Sequence, residues 1–267
     1  MQKISNKDVA IVVPAYKKHL SSDELISLNL LFKYLGKYDI FFLTPSSFKE
    51  TDFKYKGINL TKFSTRYFVT PQTYNKLLLN KKFYLKYKKY KYILIYQFDA
   101  LVFSDRLIKW CKKGYDYIAA PWFESKIARL TYMGSSPISG GNGGFCLRNV
   151  QSCLRVLDTV NAQAKRKTSS LIVQKLWFFL AVILGKSHKI WLNSPADNYP
   201  FNEDGFWSLE APKYLSTYKV APFNEAVKFA FEKFPRKCYR LNKNKLPFGC
   251  HAWAKYDKEF WLPHLET

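Results

Sequence analysis

The sequence predicts an α/β domain built on a mostly parallel central sheet flanked by helices. Short apolar runs typical of buried strands alternate with helical segments over the first hundred residues. The second half is irregular and carries glycine-rich and acidic segments. With 267 residues, of which 48% are hydrophobic, the chain can bury a substantial core. We therefore expect a single domain over residues 1–267.

Strands and helices are predicted in order along the first half. Ser21 and Ser22 followed by Asp23 and Glu24 are typical of a helix start, and Gly36 is typical of its end. The predicted strands are Val9–Pro14, 38–43, Ile58–Phe63 and 92–97. The helix that begins at Ser21 or Ser22 is predicted to end near Leu35, and a second helix is predicted at 73–87. No glycine-rich dinucleotide fingerprint follows the first strand, and the phosphate-binding loop of nucleotide hydrolases is also missing from the sequence.

A lone carboxylate, Asp99, stands where the fourth predicted strand ends. The continuous apolar run 92–95 suits an interior parallel strand that is covered on both faces, and it leads into Tyr96-Gln97-Phe98-Asp99. Ligands of open α/β sheets bind just beyond the carboxyl ends of the strands. An Asp there is well placed to hold a divalent metal and, through it, a diphosphate. The plain alternative is that Asp99 caps the next segment or pairs with a lysine.

The second half contains three motifs. A strand is predicted at 117–122, and the segment 139–149 that comes later has four glycines around Asn142. These glycines predict either a loop whose backbone approaches a ligand or a tight hairpin turn, followed by a strand at 145–148. Glu203 and Asp204 suit either a helix start or a general base with a hydroxyl-binding partner. His251, between small residues and an aromatic, is either structural or a metal ligand.

The chain is strongly basic, with 43 Lys and Arg against 20 Asp and Glu and a formal net charge of +23. Nucleic-acid binding, docking on anionic lipid and AT-rich coding bias each explain such an excess. Arginine is scarce and no RNA-binding signature is present, which argues against specific nucleic-acid recognition. We expect no specific nucleic acid as a partner.

Cysteine usage and the N-terminus favour a cytoplasmic protein. The five cysteines are scattered without a C-x-x-C pair, which fits reduced thiols and argues against a disulfide framework or a zinc site. The first seven residues are polar, and the apolar run 9–13 is too short for a signal peptide.

An apolar segment, 171–185, lies within a basic and apolar stretch at 165–189. As a helix it would be roughly 22 Å long, shorter than the roughly 30 Å hydrocarbon core, so we do not expect it to span a membrane. A buried core or dimer helix is the favoured interpretation. The alternative is a helix lying in the membrane interface with its flanking lysines on headgroups.

Taken together, the first-strand exit, the Gln-Phe-Asp turn, the glycine segment, the acidic pair and the late His resemble nucleotide-sugar glycosyltransferases of the GT-A fold. The closest resemblance is to a bacterial surface-polysaccharide group with a Gln-x-Asp version of the Asp-x-Asp motif. It extends over residues 8–255 and implies a nucleotide-donor half at about 8–122 and an acceptor and catalytic half at about 123–255.

The resemblance also implies roles for individual residues. The donor would be bound by Pro14, Ala15, Tyr16, Gln97, Asp99, Gly143 and Gly144. Asn142 would contact the acceptor, and Asp99 and His251 would hold Mn²⁺ or Mg²⁺. Trp207 would stack on a sugar ring of the acceptor, with a core position as the favoured interpretation of this residue. Asp204 would be the general base and Glu203 would hold a neighbouring acceptor hydroxyl, or the two carboxylates would exchange these roles. One base without an evident second nucleophile favours inversion of the anomeric configuration.

The leading hypothesis is an inverting glycosyltransferase at the cytoplasmic face of a membrane. Its partners would be a nucleotide sugar, a glycan or lipid-linked saccharide acceptor, and an anionic membrane surface attracted by the basic charge. A nucleotidyl- or phosphotransferase would need more carboxylates around Asp99. A basic module that binds nucleic acid or another polyanion without catalysis would leave the Gln-Phe-Asp turn, the glycine segment and the Asn-Glu-Asp motif unexplained.

Overall fold

A computed structural model describes residues 4–53, 55, 57–124, 136–165 and 199–265. Six strands form the central sheet in the order β3-β2-β1-β4-β7-β6. Their bounds are β1 Val9–Pro14, β2 Asp39–Pro45, β3 Ile58–Phe63, β4 Tyr92–Tyr96, β6 Tyr117–Glu124 and β7 Ser136–Asn149. The strands β1 to β4 are parallel, and β7 is antiparallel to both β4 and β6. The predicted mostly parallel α/β sheet is therefore confirmed.

Helices cover both faces of this sheet. They are α1 Ser22–Leu35, α2 Pro71–Leu78, α3 Lys81–Lys86, α4 Leu107–Cys111, α5 Val150–Lys165, α6 Glu203–Gly205, α7 Ala211–Tyr214, α8 Phe223–Phe229, α9 Pro235–Leu241 and α10 Lys258–Trp261, with a π-helical turn at Phe206–Glu210. The predicted start of α1 is confirmed, because Ser21 N–H donates to Glu24 Oε2 at 2.8 Å and Ser21 Oγ accepts from Glu24 N–H at 3.4 Å.

The prediction of one continuous helix over 73–87 is wrong, because the segment forms two helices. The first, α2, ends at Leu78, and Asn80 begins the second by accepting a hydrogen bond from Lys82 N–H at 2.9 Å. Asparagine is a strong helix N-cap, and its side chain here replaces a backbone hydrogen bond of a continuous helix.

The core lies on both faces of the sheet. Along β1, Val9, Ile11 and Val13 pack with the buried leucines of α1, whereas Ala10 and Val12 pack with residues of α2, α3 and α5. Alternate side chains of a strand point to opposite faces, so a strand buried on both sides must be apolar throughout. This explains why β1 and β4 are continuous apolar runs.

A second, three-stranded sheet brings the end of the chain to the end of β4. Its strands are β5 Leu101–Val102, β9 Gly249–Cys250 and β8 Ala230–Phe231, in the order β5-β9-β8. The backbone N–H of Trp253 donates to Asp99 O at 3.2 Å, and His251 N–H donates to Phe231 O at 2.9 Å. The turn after β4 is therefore joined by backbone hydrogen bonds to the segment that carries His251.

The glycine segment predicted as a loop lies inside β7 instead. This strand has 14 residues, and its pairing with β6 shifts register between Ala119 and Ala120 and again between Pro121 and Trp122. A Cβ at Gly141 would lie 2.2 Å from the carbonyl oxygen of Ala120, so only glycine fits the interstrand distance there. The strand predicted at 145–148 is confirmed as the last part of β7.

All five cysteine thiols are buried and unbridged in the structure. The apolar segment 171–185 lies outside the described residues. Among the residues that the structure covers, no helix combines the length and apolar character needed to cross a membrane. The division into donor and acceptor halves stays a prediction.

Candidate active site

A cavity of 420 Å³ opens at the edge of the sheet where β1 and β4 end. The turn that follows β4 is fixed by its backbone, since Gln97 N–H donates to Gly144 O and Ala100 N–H donates to Gln97 O, both at 2.9 Å. The lining residues are Pro14, Tyr16, Glu24, Phe68, Val69, Thr70, Pro71, Tyr74, Gln97, Phe98 and Asp99. Four predicted donor-binding residues, Pro14, Tyr16, Gln97 and Asp99, therefore share one cavity.

His251 lies beside the Gln97 and Asp99 side chains although it is 154 residues from Gln97 in sequence. Its Nε2 is 3.0 Å from Gln97 Oε1 and 3.2 Å from Asp99 Oδ1. Its Nδ1 is 3.3 Å from Oε1 of Glu232, a buried carboxylate at the end of β8. When the imidazole is neutral, an Nδ1–H donated to Glu232 directs the Nε2 lone pair towards Gln97 and Asp99.

The charges in this cluster are strongly coupled. Burial lowers the pKa of His251, but hydrogen bonds and charges from Asp99 and Glu232 outweigh burial and raise its pKa to about 10. Burial raises the pKa of Asp99, but the contact with His251 prevails and the net pKa is lowered. The site thus keeps the Asp99 carboxylate ionised at neutral pH.

Once the His251 imidazole has lost its Nε2 proton, the donors in this cluster suit a hard divalent cation. A carboxylate oxygen and an amide oxygen each lie within 3.2 Å of the imidazole nitrogen His251 Nε2. Mn²⁺ and Mg²⁺ take oxygen ligands and tolerate an imidazole. Across the described ranges, no group of three or more His, Cys, Asp and Glu side chains is arranged to hold a metal. An ion at Asp99 and His251 would therefore complete its coordination with oxygens from Gln97, water or a ligand.

Glu203 pairs with a buried arginine on β7. Its Oε1 lies 2.8 Å from Nη2 of Arg148, and Arg148 Nη1 donates to Tyr84 Oη at 3.0 Å. Glu203 is only 3% exposed, and its Oε2 has no hydrogen-bond partner in the part of the chain described. The Glu203 carboxylate is therefore enclosed and neutralises the Arg148 guanidinium, and its contact with an acceptor hydroxyl stays a prediction.

Asp204 has a different environment from its neighbour. Its Oδ2 accepts a hydrogen bond from Gly143 N–H at 3.2 Å, and its Oδ1 accepts one from Gly205 N–H at 2.7 Å. Burial and the adjacent Glu203 charge raise the pKa of Asp204 to about 7, although both backbone hydrogen bonds oppose the shift. A carboxylate with a pKa near neutrality is suited to accept and release a proton.

The glycines of β7 allow both clusters to pack against the same strand. A Cβ at Gly143 would lie 2.3 Å from Glu203 Oε1, and a Cβ at Gly144 would lie 2.1 Å from His251 Nε2. Asn142 Oδ1 accepts a hydrogen bond from Gly144 N–H at 2.7 Å. The close approach predicted for this backbone exists, but at Gly143 and Gly144 it is made to the protein's own side chains.

Two predicted site residues belong to the core instead. Trp207 is fully buried and contacts the rings of Tyr84 and Phe206 at centroid distances of 5.3 and 5.1 Å, so the structure places it in the core and its contact with an acceptor stays a prediction. Ala15 is also fully buried, and its N–H donates to Leu43 O at 2.9 Å. The Ala15 side chain therefore lies in the core, whereas the neighbouring Tyr16 is exposed, and the assignment of Ala15 to donor binding stays a prediction.

Sequence reasoning missed Glu232 and Arg148. Glu232 follows the apolar pair Ala230-Phe231 and so repeats the signal that marked Asp99, a single carboxylate at the end of a strand. Arg148 is a lone cation near the end of an apolar strand, which indicates a buried ion pair. Both residues could have been found from the pattern.

The solved structures to which the chain is similar include three that are described as glycosyltransferases. A galactosyltransferase, LgtC, in complex with donor and acceptor sugar analogues has a TM-score of 0.50 and 13% identity, covering 96% of this chain and 95% of that one. A glycosyltransferase involved in glycosylation of the major capsid of PBCV-1 has a TM-score of 0.46, 12% identity and coverages of 97% and 99%. Apo GlyE of Streptococcus pneumoniae TIGR4 has a TM-score of 0.45, 12% identity and coverages of 98% and 60%.

The likeness to LgtC shows that the fold is GT-A-like. No curated protein matches the chain. Residues 57–251 match the profile of a family described as a protein of unknown function, DUF5672. That range begins just before β3 and ends at His251, so it includes Asp99, the β7 glycines and Asp204. The chain therefore belongs to the DUF5672 family.

Proposed function

We infer that this protein is a glycosyltransferase that moves a sugar from a nucleotide-diphosphate donor to a saccharide acceptor with inversion of the anomeric configuration. The observation that carries the proposal is the convergence of Gln97, Asp99 and His251 at a cavity beyond the carboxyl ends of β1 and β4. The galactosyltransferase with the similar fold was solved with donor and acceptor sugar analogues, which supports the same two substrate classes here.

The cavity suits a nucleotide sugar. Tyr16, 56% exposed at the exit of β1, offers a ring on which a base can stack, and Asp99 lines the same cavity. Asp99 and His251, with the Gln97 amide oxygen, would hold Mn²⁺ or Mg²⁺, which when bound stabilises the charge of the departing diphosphate. Glu232 would fix the imidazole so that Nε2 faces that position.

Asp204 is the group best suited to accept the proton of the attacking hydroxyl. It has a pKa of about 7, and Glu203 beside it is already paired with Arg148. As the acceptor oxygen bonds to the anomeric carbon, its proton passes to an Asp204 oxygen and the bond to the diphosphate breaks. The Glu203 carboxylate, held in place by Arg148, keeps a second charge next to Asp204 and so contributes to its raised pKa.

The acceptor would be a growing surface glycan or a lipid-linked saccharide on the cytoplasmic face of a membrane. The formal net charge of +23 supports this, because a basic protein concentrates at anionic surfaces and anionic acceptors.

A thermal-shift panel tests donor binding. UDP-, GDP-, dTDP- and CMP-sugars are each added with and without Mn²⁺ to the wild type, to Asp99→Asn and to the control Asp105→Asn, an exposed carboxylate. A ligand at a hundredfold excess over its Kd stabilises by about 2.7 kcal/mol, which raises Tm by several degrees. We expect the sugars of one nucleotide class, together with Mn²⁺, to raise the Tm of the wild type and of the control but not that of Asp99→Asn. Stabilisation only by polyanions would favour the non-catalytic binding module.

The stereochemistry is tested separately. Proton NMR of the product reports the anomeric configuration of the new glycosidic linkage, which is compared with the anomeric configuration of the donor sugar. Inversion supports Asp204 as the single base, and retention would contradict that role.

A further inference from the structure

A second cavity, of 600 Å³, lies between the start of α9 and the loop before α10. It is lined by Lys233, Phe234, Pro235, Arg236, Lys237, Arg240, Lys255, Tyr256 and Asp257. Five of these nine residues are Lys or Arg and one is acidic. The glycosyltransferase proposal assigns none of them a role.

The positive charge of this basic cavity is mostly uncompensated. Asp257 is engaged by Arg236, whose Nε and Nη2 donate to its carboxylate at 2.7 and 3.1 Å. Lys233, Arg240 and Lys255 make no ion pair with any residue that the structure describes. The ammonium groups of Lys233 and Lys255 lie 6.0 and 5.3 Å from the ring centroid of Tyr256. Several cations gathered around one concavity attract an anion strongly.

Backbone strain accompanies the charge. Phe234 and Asp257 are non-glycine residues in the left-handed region, with φ of 55° and 61°, and both line the cavity. Such conformations are costly and cluster at ligand sites. Phe234 is also 47% exposed, so a large apolar ring stands in solvent at the rim of a basic cavity. An aromatic ring beside cations suits a ligand with both an anionic group and an apolar sugar face.

The basic cavity is close to the candidate active site. His251 and Lys255 belong to one continuous segment, whose Trp253 donates its backbone N–H to Asp99 O. A group bound in the basic cavity would therefore be held near the position where transfer occurs.

We propose that the basic cavity binds a phosphate group of the acceptor, which would then be a saccharide carrying a phosphodiester or a diphosphate. The identity of the ligand as an acceptor rests on the glycosyltransferase function proposed above. The phosphate oxygens accept hydrogen bonds from Arg240 and the lysines, and the Phe234 and Tyr256 rings lie against the attached sugar.

Titration calorimetry with inorganic pyrophosphate in EDTA tests the anion site without metal. The Lys237→Gln/Arg240→Gln variant is compared with the wild type and with Lys82→Gln/Lys86→Gln, which removes two exposed lysines of α3. We expect the Kd for pyrophosphate to rise about tenfold or more in the cavity variant and less than about twofold in the control. Equal weakening in both variants, or no binding by the wild type, would overturn the proposal.

Two further arms separate the remaining explanations. If the cavity variant loses binding to phosphatidylglycerol vesicles while pyrophosphate does not bind the wild type, the surface docks on lipid and the proposal is wrong. The nucleotide-sugar thermal shift is repeated on the cavity variant, where we expect it unchanged. Pyrophosphate binding at the basic cavity without any nucleotide-sugar binding would refute the glycosyltransferase function while leaving the anion site in place.

Discussion

Replacing Asp204 by asparagine should change how stability depends on pH. An aspartate carboxyl ordinarily has a pKa of 3.8, whereas burial beside Glu203 raises the pKa of Asp204 to about 7 in the folded protein. Between these values the folded state keeps a proton that the unfolded state releases. Stability from this group is therefore greatest at low pH and is lost as the pH rises towards 7.

The magnitude follows from the two pKa values. The proton on Asp204 adds about 3 kcal/mol to the free energy of unfolding at pH 5 and almost nothing at pH 8. An asparagine side chain cannot ionise, so the Asp204→Asn variant should lack this contribution. Its lost or rearranged hydrogen bonds to Gly143 and Gly205 shift stability by the same amount at both pH values and cancel in the comparison.

Urea unfolding of the wild type, Asp204→Asn and the control Asp158→Asn at pH 5 and pH 8 measures the effect. We expect the wild type to lose about 2–3 kcal/mol more than Asp204→Asn between the two pH values. Asp158 is an exposed carboxylate on α5, and its variant should follow the wild type. If the wild type and Asp204→Asn lose the same free energy of unfolding between pH 5 and pH 8, the raised pKa of Asp204 is refuted and, with it, the case for Asp204 as a base.

Three further substitutions test the architecture of the site. Arg148→Met leaves Glu203 buried without its counter-ion and should lower the free energy of unfolding by about 3–5 kcal/mol in urea titrations, with partial recovery in the double variant with Glu203→Gln. Gly144→Ala places a Cβ 2.1 Å from His251 Nε2, so it should lower the free energy of unfolding by about 1–3 kcal/mol and weaken Mn²⁺ binding. An unchanged Mn²⁺ affinity would argue against His251 as a metal ligand. Glu232→Ala frees the imidazole Nδ1 and should weaken Mn²⁺ binding about 10- to 100-fold, as measured by electron paramagnetic resonance of the free ion. Glu232→Gln should bind Mn²⁺ more like the wild type, because its amide oxygen still accepts the hydrogen bond. Equal Mn²⁺ affinities in all three proteins would contradict a positioning role for Glu232.

Much of the central sheet could be predicted from local pattern. Strands β1 and β4 are buried on both faces, and only continuous apolar runs satisfy that environment. Asp99 stood out because it breaks such a run where the strand ends. Its position at a cavity follows from the parallel pairing of β1 and β4, which brings their carboxyl ends to one edge of the sheet.

Contacts between distant segments could not be predicted in the same way. His251 reaches Gln97 and Asp99 because β9 pairs with β5, a contact of two-residue strands that carries no periodic signal. The Asn-Glu-Asp motif indicated a helix start or a base that faces a substrate, but Arg148 on β7 draws Glu203 into the core. One buried cation on another strand thus reversed the expected environment of that carboxylate.

The position of Trp207 shows a related limit. An aromatic beside glycine and acidic residues suggested a sugar-stacking platform, yet the ring fills the space between Tyr84 and Phe206. The π-helical turn at Phe206–Glu210 changes which side chains face the sheet, and sequence periodicity does not reveal such a turn.

Release of the nucleoside diphosphate from the donor tests the central claim most directly. The wild type, Asp99→Asn, Asp204→Asn and the control Asp105→Asn are incubated with Mn²⁺ and the nucleotide sugar that stabilises the wild type, with saccharide acceptors present. We predict release by the wild type and the control, and a loss of about a hundredfold or more in Asp99→Asn and Asp204→Asn. Undiminished release by Asp99→Asn, or no release with any donor, would contradict the assignment of this site to glycosyl transfer.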